Sequence, residues 1–454
     1  MHDTLWQIPA INYTIRGGKN VLRYKTYTEM TDFGPYITKL ILELPERVRA
    51  GELTDTTFHV YAECREADGS VVIRTERKSG RKALLKGYPK VLRAYPCTSD
   101  GVRCAAGDFA AIDLQEEYLN KRVAGDLLAS RWLENFYRIT QLHDIPGPLD
   151  GNAVNGLVYD TCAGDICPQL SGWKDSVSVH PEHPLHYGYF TPAADGRSPL
   201  VVWLHGAGEG GDDIRVAYTG NKVTAISSPD IQGKLGGAAW VLVPQCPTVW
   251  MDDGIEKLGR SNRSIYTEPV KRLIDQFISQ HKNQIDENRI YIGGLSNGGF
   301  MTIRMLIDYP DFFAGAIAAC AAFYQENITG DVLQNLKKVP LWFVHCKKDT
   351  IVPPIETSVP LYRKLKEDGA EQVHFTLFDR ILDLSGKYKE PDGQPKESFG
   401  HGVWIHVYND DCAAELDNTR VMDHGIPVTL WEWLGCQSKE QEGPFAISET
   451  ASPL

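Results

Sequence analysis

Apolar and polar positions follow two different rhythms along this chain. Before about residue 170 the apolar runs are short and repeat every second residue, the spacing that puts them on one face of a strand. Phe58, Val60, Ala62 and Cys64 keep that period strictly, and Ile37, Leu40, Leu42 and Leu44 lie in a similar run. Asp68-Gly69 separates the first run from Val71-Val72-Ile73 and predicts a hairpin. Further strands are expected at Val91–Tyr95, Phe109–Leu114 and Phe136–Leu142, with a short helix over Arg122–Trp132. Many short strands with turn residues between them point to a β-sandwich.

Residues 143–184 are rich in Gly, Pro, Asp and Asn and read as a connector. From Leu185 the rhythm changes. Apolar runs at Leu185–Phe190, Leu200–Leu204, Trp240–Pro244, Ile290–Gly293, Ala314–Ala319, Leu341–His345 and Val373–Phe378 read as strands. Helical stretches lie between them. Over Thr267–His281, Val270, Leu273, Ile274, Phe277 and Ile278 form one helical stripe. Strands alternating with helices predict a mostly parallel sheet with helices on both faces. The expected division is a sandwich with its connector over 1–170, an α/β domain over 171–438, and a flexible polar tail over 439–454.

Composition narrows the partners. The 454 residues carry a net charge of −12, which argues against a nucleic acid or an anionic membrane surface. No apolar run approaches the roughly 20 residues that span a bilayer. Met1-His2-Asp3-Thr4 does not open a secretory leader, so a cytoplasmic location is expected as written, or secretion if a leader was removed. Of the ten cysteines, Cys320 and Cys346 sit in apolar runs and read as buried thiols. Cys162 and Cys167 are spaced to pair or to share a metal, but no second pair with zinc spacing accompanies them, so no metal site is expected. Disulfides at Cys97/Cys104 and Cys162/Cys167 stay open.

The chemistry concentrates in the second part. Gly294-Leu295-Ser296-Asn297-Gly298 fits the G-x-S-x-G turn, with a strand-like run before it and a helix-like run after it. A serine on such a turn needs small neighbours, which Gly294, Gly298 and Gly299 supply. A tight turn with an incidental serine is the plain alternative. Upstream, Val201 to Leu204 runs into His205-Gly206-Ala207-Gly208, where the backbone N–H of Ala207, with that of Asn297, would hold an oxyanion. His205 reads as a structural hydrogen-bonding residue. An acid and a histidine should follow the serine in that order. Asp349, just past Leu341–His345, is the expected acid, with Asp379 in reserve. His401, in the glycine-flanked loop Phe399-Gly400-His401-Gly402, is the expected base, ahead of His406 and His424; His374 reads as structural. Trp250 and Trp404 lie on loops after strands, where open α/β sheets bind ligands, and either line a substrate or pack the loops. Glu209, Asp212 and Asp213 read as a solvated loop.

Leu204 to Glu209, Pro244-Gln245-Cys246-Pro247, Gly294 to Gly299, the Asp349 segment and Gly400 to Trp404 resemble bacterial esterases of the prolyl-oligopeptidase-like, feruloyl-esterase-like branch. The nearest resemblance is to thermostable esterases with an N-terminal immunoglobulin-like domain, whose start Ile37–Cys64 looks like. It implies an α/β hydrolase behind an immunoglobulin-like sandwich. It implies carboxylic ester hydrolysis without a cofactor; together with the reading of Ser296, His401 and Asp349 as nucleophile, base and acid, the leading expectation is an esterase of small acyl or aryl esters. It also implies a sandwich that shapes the entrance to the site or mediates homo-oligomers. Feruloyl or acetyl esterase, serine peptidase and an inactive hydrolase fold serving as a binding module are the other functions weighed. Where such enzymes often carry a basic residue after Glu209, Gly210 stands here.

Overall fold

The computed structural model describes residues 21–66, 68–75, 80–115, 120–124, 130–146 and 153–440. Of the expected tail over 439–454, only Lys439 and Glu440 fall within them. The chain divides into two compact units. One takes residues 1–29, 35–121 and 133–168; the other takes 169–454 together with two short early segments, 30–34 and 122–132.

In the first unit the period-two runs become strands of two sheets. One has five strands in the order Thr161–Ile166, Arg23–Thr31, Gly34–Arg49, Ala106–Leu114 and Val91–Cys97. The other has four: Val158–Tyr159, Glu134–Gln141, Phe58–Arg65 and Lys86–Gly87. The inward positions, among them Leu40, Leu42, Val60, Ala62, Ile112 and Ile139, are fully buried. Between the sheets the Tyr24 hydroxyl accepts the Tyr137 N–H at 2.9 Å, which satisfies a polar group that would otherwise be costly to bury. Cys97, Cys104 and Cys162 are free thiols, so neither open disulfide is formed. Arg122–Trp132 is not a helix at its described ends. Arg122–Ala124 and Ser130–Trp132 are antiparallel strands that pair Arg122 with Trp132.

The second unit is built on an eight-stranded sheet: β1 (Trp173–Val177), β2 (His186–Phe190), β3 (Ser198–Leu204), β4 (Trp240–Gln245), β5 (Ile285–Leu295), β6 (Gly315–Ala319), β7 (Leu341–Cys346) and β8 (Val373–Phe378), in the order β1-β2-β4-β3-β5-β6-β7-β8. The pairs β1/β2 and β2/β4 are antiparallel and all the others parallel. Both faces are covered, so neighbouring residues of one strand enter opposite cores. Val202, Leu242 and Ile292 pack with helix α3 (Thr267–Gln280) and helix α4 (Asn297–Asp308) on one side. Val201, Val241 and Tyr291 pack with Trp203, Trp342, Trp431 and Trp433 on the other. That double burial is why these strands read as unbroken apolar runs. β1 lies inside the expected connector. It is an edge strand with four of five residues exposed, so it carries no apolar alternation to read. No helix among the described residues is long and apolar enough to cross a membrane.

The turn between β5 and α4 brings α4 against the end of β3. A Cβ on Gly298 would lie 2.0 Å from the Leu204 carbonyl oxygen and 2.5 Å from that of His205. Gly298→Ala must therefore push main chain apart, and is expected to destabilise by about 3 kcal/mol. The readout is a lower midpoint of urea unfolding; an unchanged midpoint would contradict this packing.

Candidate active site

Ser296 stands between β5 and α4 with φ 56° and ψ −115°. Such a backbone costs a non-glycine residue on the order of 1–3 kcal/mol and persists only where surroundings enforce it. Here the Ser296 N–H donates to Ala319 O at 2.8 Å, and Ser296 O accepts from Phe300 N at 3.0 Å and Ala322 N at 3.2 Å. The conformation leaves Oγ 2.9 Å from His401 Nε2. His401 Nδ1 lies 2.7 Å from Asp349 Oδ2. An ionised carboxylate only accepts, so Nδ1 carries the hydrogen and Nε2 faces the serine hydroxyl as acceptor.

Asp349 is fixed on every side. Its Oδ1 accepts the N–H groups of Ile351 and Val352, both at 2.9 Å. Its Oδ2 accepts from His401 and also faces Nε2 of His345 at 3.1 Å. Burial by itself pushes the carboxyl pKa up. The hydrogen bonds from His345 and His401 outweigh it and hold the group well below the usual carboxylate range. His345 is fully buried. Its Nε2 points at two acceptors, Asp349 Oδ2 and Val352 O, so that nitrogen bears the hydrogen, and Nδ1 takes the Ser358 hydroxyl at 2.9 Å. In the sequence His345 is simply one residue of a buried strand. The hint was its place four residues before the acid. Cys320 was read only as a buried thiol, yet its Sγ lies within 4.8 Å of ligand atoms of Asp349 and His401. Those two spend their atoms on each other, and burial pushes the Cys320 thiol pKa well up, so it stays protonated beside them.

The loop carrying His401 rests directly on the loop carrying Asp349. A Cβ on Gly400 would lie 2.4 Å from Lys348 O and 2.8 Å from Asp349 N, which explains the glycine before the histidine. The other candidates are engaged elsewhere. His406 bonds Asp411 at 2.8 Å and stacks on Phe378, His374 bonds Glu415 at 2.6 Å, His424 is exposed, and Asp379 pairs with Lys347 at the surface.

Ala207 opens a single helical turn, Ala207–Glu209, after β3, and Asn297 opens α4. Among the described residues neither N–H is bonded to another backbone carbonyl. His205 shapes the turn. Its Nδ1 donates to Gly206 O at 2.6 Å and its Nε2 accepts the Cys246 N–H at 2.9 Å; burial lowers its pKa and keeps it neutral. Trp250, one of the two tryptophans expected either to line a substrate or to pack the loops, is buried. It has no exposed surface, because its Nε1 donates to His205 O at 3.0 Å and its backbone N–H donates to Asn297 Oδ1 at 2.5 Å. It brackets the two N–H-bearing segments. Trp404 is also buried, and its ring stands edge-on to His401 with centroids 5.6 Å apart. Glu209, expected in a solvated loop, is buried and paired with Arg122, because its partner comes from far upstream in the chain.

A strained serine between strand and helix, with an acid and a histidine from later loops on a mostly parallel eight-stranded sheet, defines an α/β hydrolase. The phospholipase/carboxylesterase family model matches residues 191–379, and the esterase Ig-like N-terminal domain model matches residues 23–154. Residues 191–379 thus form a phospholipase/carboxylesterase-type α/β-hydrolase domain, with an esterase Ig-like domain ahead of it. His401 lies beyond the matched stretch. The crystal structure of a thermostable esterase superposes with a TM-score of 0.70 at 23% identity, covering 92% of this chain and 99% of that one, which shows a shared fold. A poly(3-hydroxyalkanoate) depolymerase of Paucimonas lemoignei is 41% identical over 136 residues, 28% of this chain and 29% of its own length. A carboxylesterase of Arabidopsis thaliana is 26% identical over 170 residues, 34% of this chain and 70% of that protein.

The acid also sets a pH dependence. The Asp349 pKa is lower in the folded chain than in the unfolded one, where about 3.9 is usual. Its contribution to stability is therefore complete above that value and is lost as pH falls through the folded pKa. The stability gap between wild type and Asp349→Asn is expected to be full at pH 7 and to narrow below about pH 4. A gap that widens on acidification in chemical denaturation would contradict the assignment.

Proposed function

We propose that this chain is a serine carboxylesterase that hydrolyses small acyl or aryl esters through an acyl-enzyme. The reading is carried by the hydrogen-bonded chain from Ser296 Oγ through His401 to Asp349. In it, His401 Nε2 takes the hydroxyl proton as Ser296 attacks the ester carbon. The tetrahedral oxyanion forms where the N–H groups of Ala207 and Asn297 are proposed to receive it, next to the positive end of α4. His401 then protonates the leaving alcohol, and the ester C–O bond breaks to leave acyl-Ser296. Water, deprotonated by the same nitrogen, releases the acid and restores the serine. Asp349 keeps the imidazole in the tautomer this needs and balances its transient positive charge. Its depressed pKa supports that role, because the group stays charged throughout.

The relatives support an ester rather than an amide substrate, since they include a carboxylesterase and a poly(3-hydroxyalkanoate) depolymerase. Aromatic residues near the base, Trp404 and the half-exposed Phe399, fit an aryl or feruloyl-type acyl group as a narrower version.

Wild-type protein is expected to release p-nitrophenol from acetyl and butyryl esters faster than anilide from peptide substrates. Ser296→Ala should lower kcat by about 10⁵- to 10⁶-fold. Asp349→Asn should lower it by about 10⁴-fold with little change in KM, because the amide favours the wrong imidazole tautomer. An inert wild type, or a Ser296→Ala variant of full activity, would sink the proposal.

A further inference from the structure

Two short segments from the first third of the chain belong to the hydrolase unit, and each ends beside a loop of the proposed active site. The clearer case is 122–132. Glu209 closes the turn that begins with Ala207, and it is 3% exposed. A carboxylate buried to that degree requires a partner. The partner is Arg122, whose Nη1 bonds Glu209 Oε1. The pair is packed between two glycines. A Cβ on Gly206 would lie 3.0 Å from Glu209 Oε2, and a Cβ on Gly220 would lie 2.7 Å from both Arg122 Nη1 and Glu209 Cγ.

The residue opposite Arg122 in the two-stranded ribbon is Trp132. Its backbone N–H donates to Asp213 Oδ2 at 3.1 Å, and the Arg215 guanidinium lies over its ring at 5.3 Å. One cross-strand pair thus grips both ends of the segment 209–215. On the opposite side that segment is held by β4, through Gln245 Nε2 to the carbonyls of Glu209 and Asp213. The turn bearing Ala207 is therefore set between the central sheet and a ribbon from upstream. Segment 30–34 does the same for the base. Asp32 bonds Lys222 Nζ at 2.7 Å, and Lys222 Nζ bonds Asn409 Oδ1 at 2.7 Å, just past helix α7 (Trp404–Tyr408), which follows His401. Phe33 packs edge-on against Tyr388, in the stretch leading to His401.

We infer that Arg122 is a positioning residue for ester hydrolysis, fixing the oxyanion turn through Glu209, and that residues 30–34 and the paired strands Arg122–Ala124 and Ser130–Trp132 brace the loops of the proposed site. The inference rests on the proposed role of the Ala207 N–H. Neither segment falls within the stretch matched by the carboxylesterase model; both lie within that matched by the Ig-like model.

The test uses the full chain and counts competent sites by fluorophosphonate titration. Arg122→Gln leaves Glu209 buried without its guanidinium. It is expected to lower kcat on p-nitrophenyl butyrate about 10- to 100-fold per titrated site, with KM within about threefold, and to slow phosphonylation by a similar factor, as a small displacement of aligned donors does. Arg122→Lys, which keeps the charge but not the planar fork, should lose less. The double variant Arg122→Gln/Glu209→Gln should recover part of the loss, because no unpaired carboxylate remains. A kcat within twofold of wild type for Arg122→Gln would overturn the inference. So would a double variant no better than Arg122→Gln, or a loss confined to KM. If Arg122→Gln does not fold, an Arg122→Lys variant with wild-type kcat and phosphonylation rate overturns it equally. The esterase reading is judged separately, by wild-type activity and Ser296→Ala.

Discussion

The backbone of Ser296 is held at φ 56° where a side chain is disfavoured, and the arrangement around it exists to hold it there. β5 must end and α4 begin within one residue, so α4 meets the end of β3 at main-chain distance. Gly294 and Gly298 are the residues that permit that approach: a Cβ on Gly294 would lie 2.6 Å from Leu204 O. Ala319 and Ala322, on either side of the end of β6, then take up the serine's own peptide groups. The strain is small against the hydrogen bonds and packing that enforce it, and it aims Oγ at His401.

The acid side follows a different logic. Asp349 must be buried to be rigid, and burial alone would neutralise it. Four hydrogen-bond donors prevent that: two backbone N–H groups on Oδ1, and His345 and His401 on Oδ2. His345 is itself pinned by Ser358 and Val352. A carboxylate so saturated has no freedom to rotate and little tendency to take up a proton. It fixes one imidazole tautomer, which lets His401 serve first as base and then as acid in the proposed reaction.

Much of this was legible in the sequence, for identifiable reasons. The β5–Ser296–α4 turn shows itself because a strained backbone demands glycines at set positions. The central strands show themselves because both faces are buried, which leaves a nearly continuous apolar run in each. α3 shows itself because only one face is. What stayed hidden depended on partners distant in sequence. β1 is a polar edge strand with no pattern of its own. Arg122–Trp132 carries helix-forming Ala and Leu residues that suggest a helix, but at its ends the chain pairs as a ribbon. Glu209 looks like a solvated acid until Arg122, 87 residues upstream, is seen beside it. Trp250, on a loop after a strand, carries the same local signal as a ligand-binding residue. Its two N–H groups go to His205 O and Asn297 Oδ1, which no local pattern reveals.

The central claim is that one serine, activated by its geometry, attacks the acyl carbon. The most direct measurement is peptide mapping by mass spectrometry after reaction of the intact chain with a fluorophosphonate. The account predicts one adduct per chain, on the peptide containing Ser296. A label on any other residue, or an unlabelled protein that still hydrolyses esters, would contradict it.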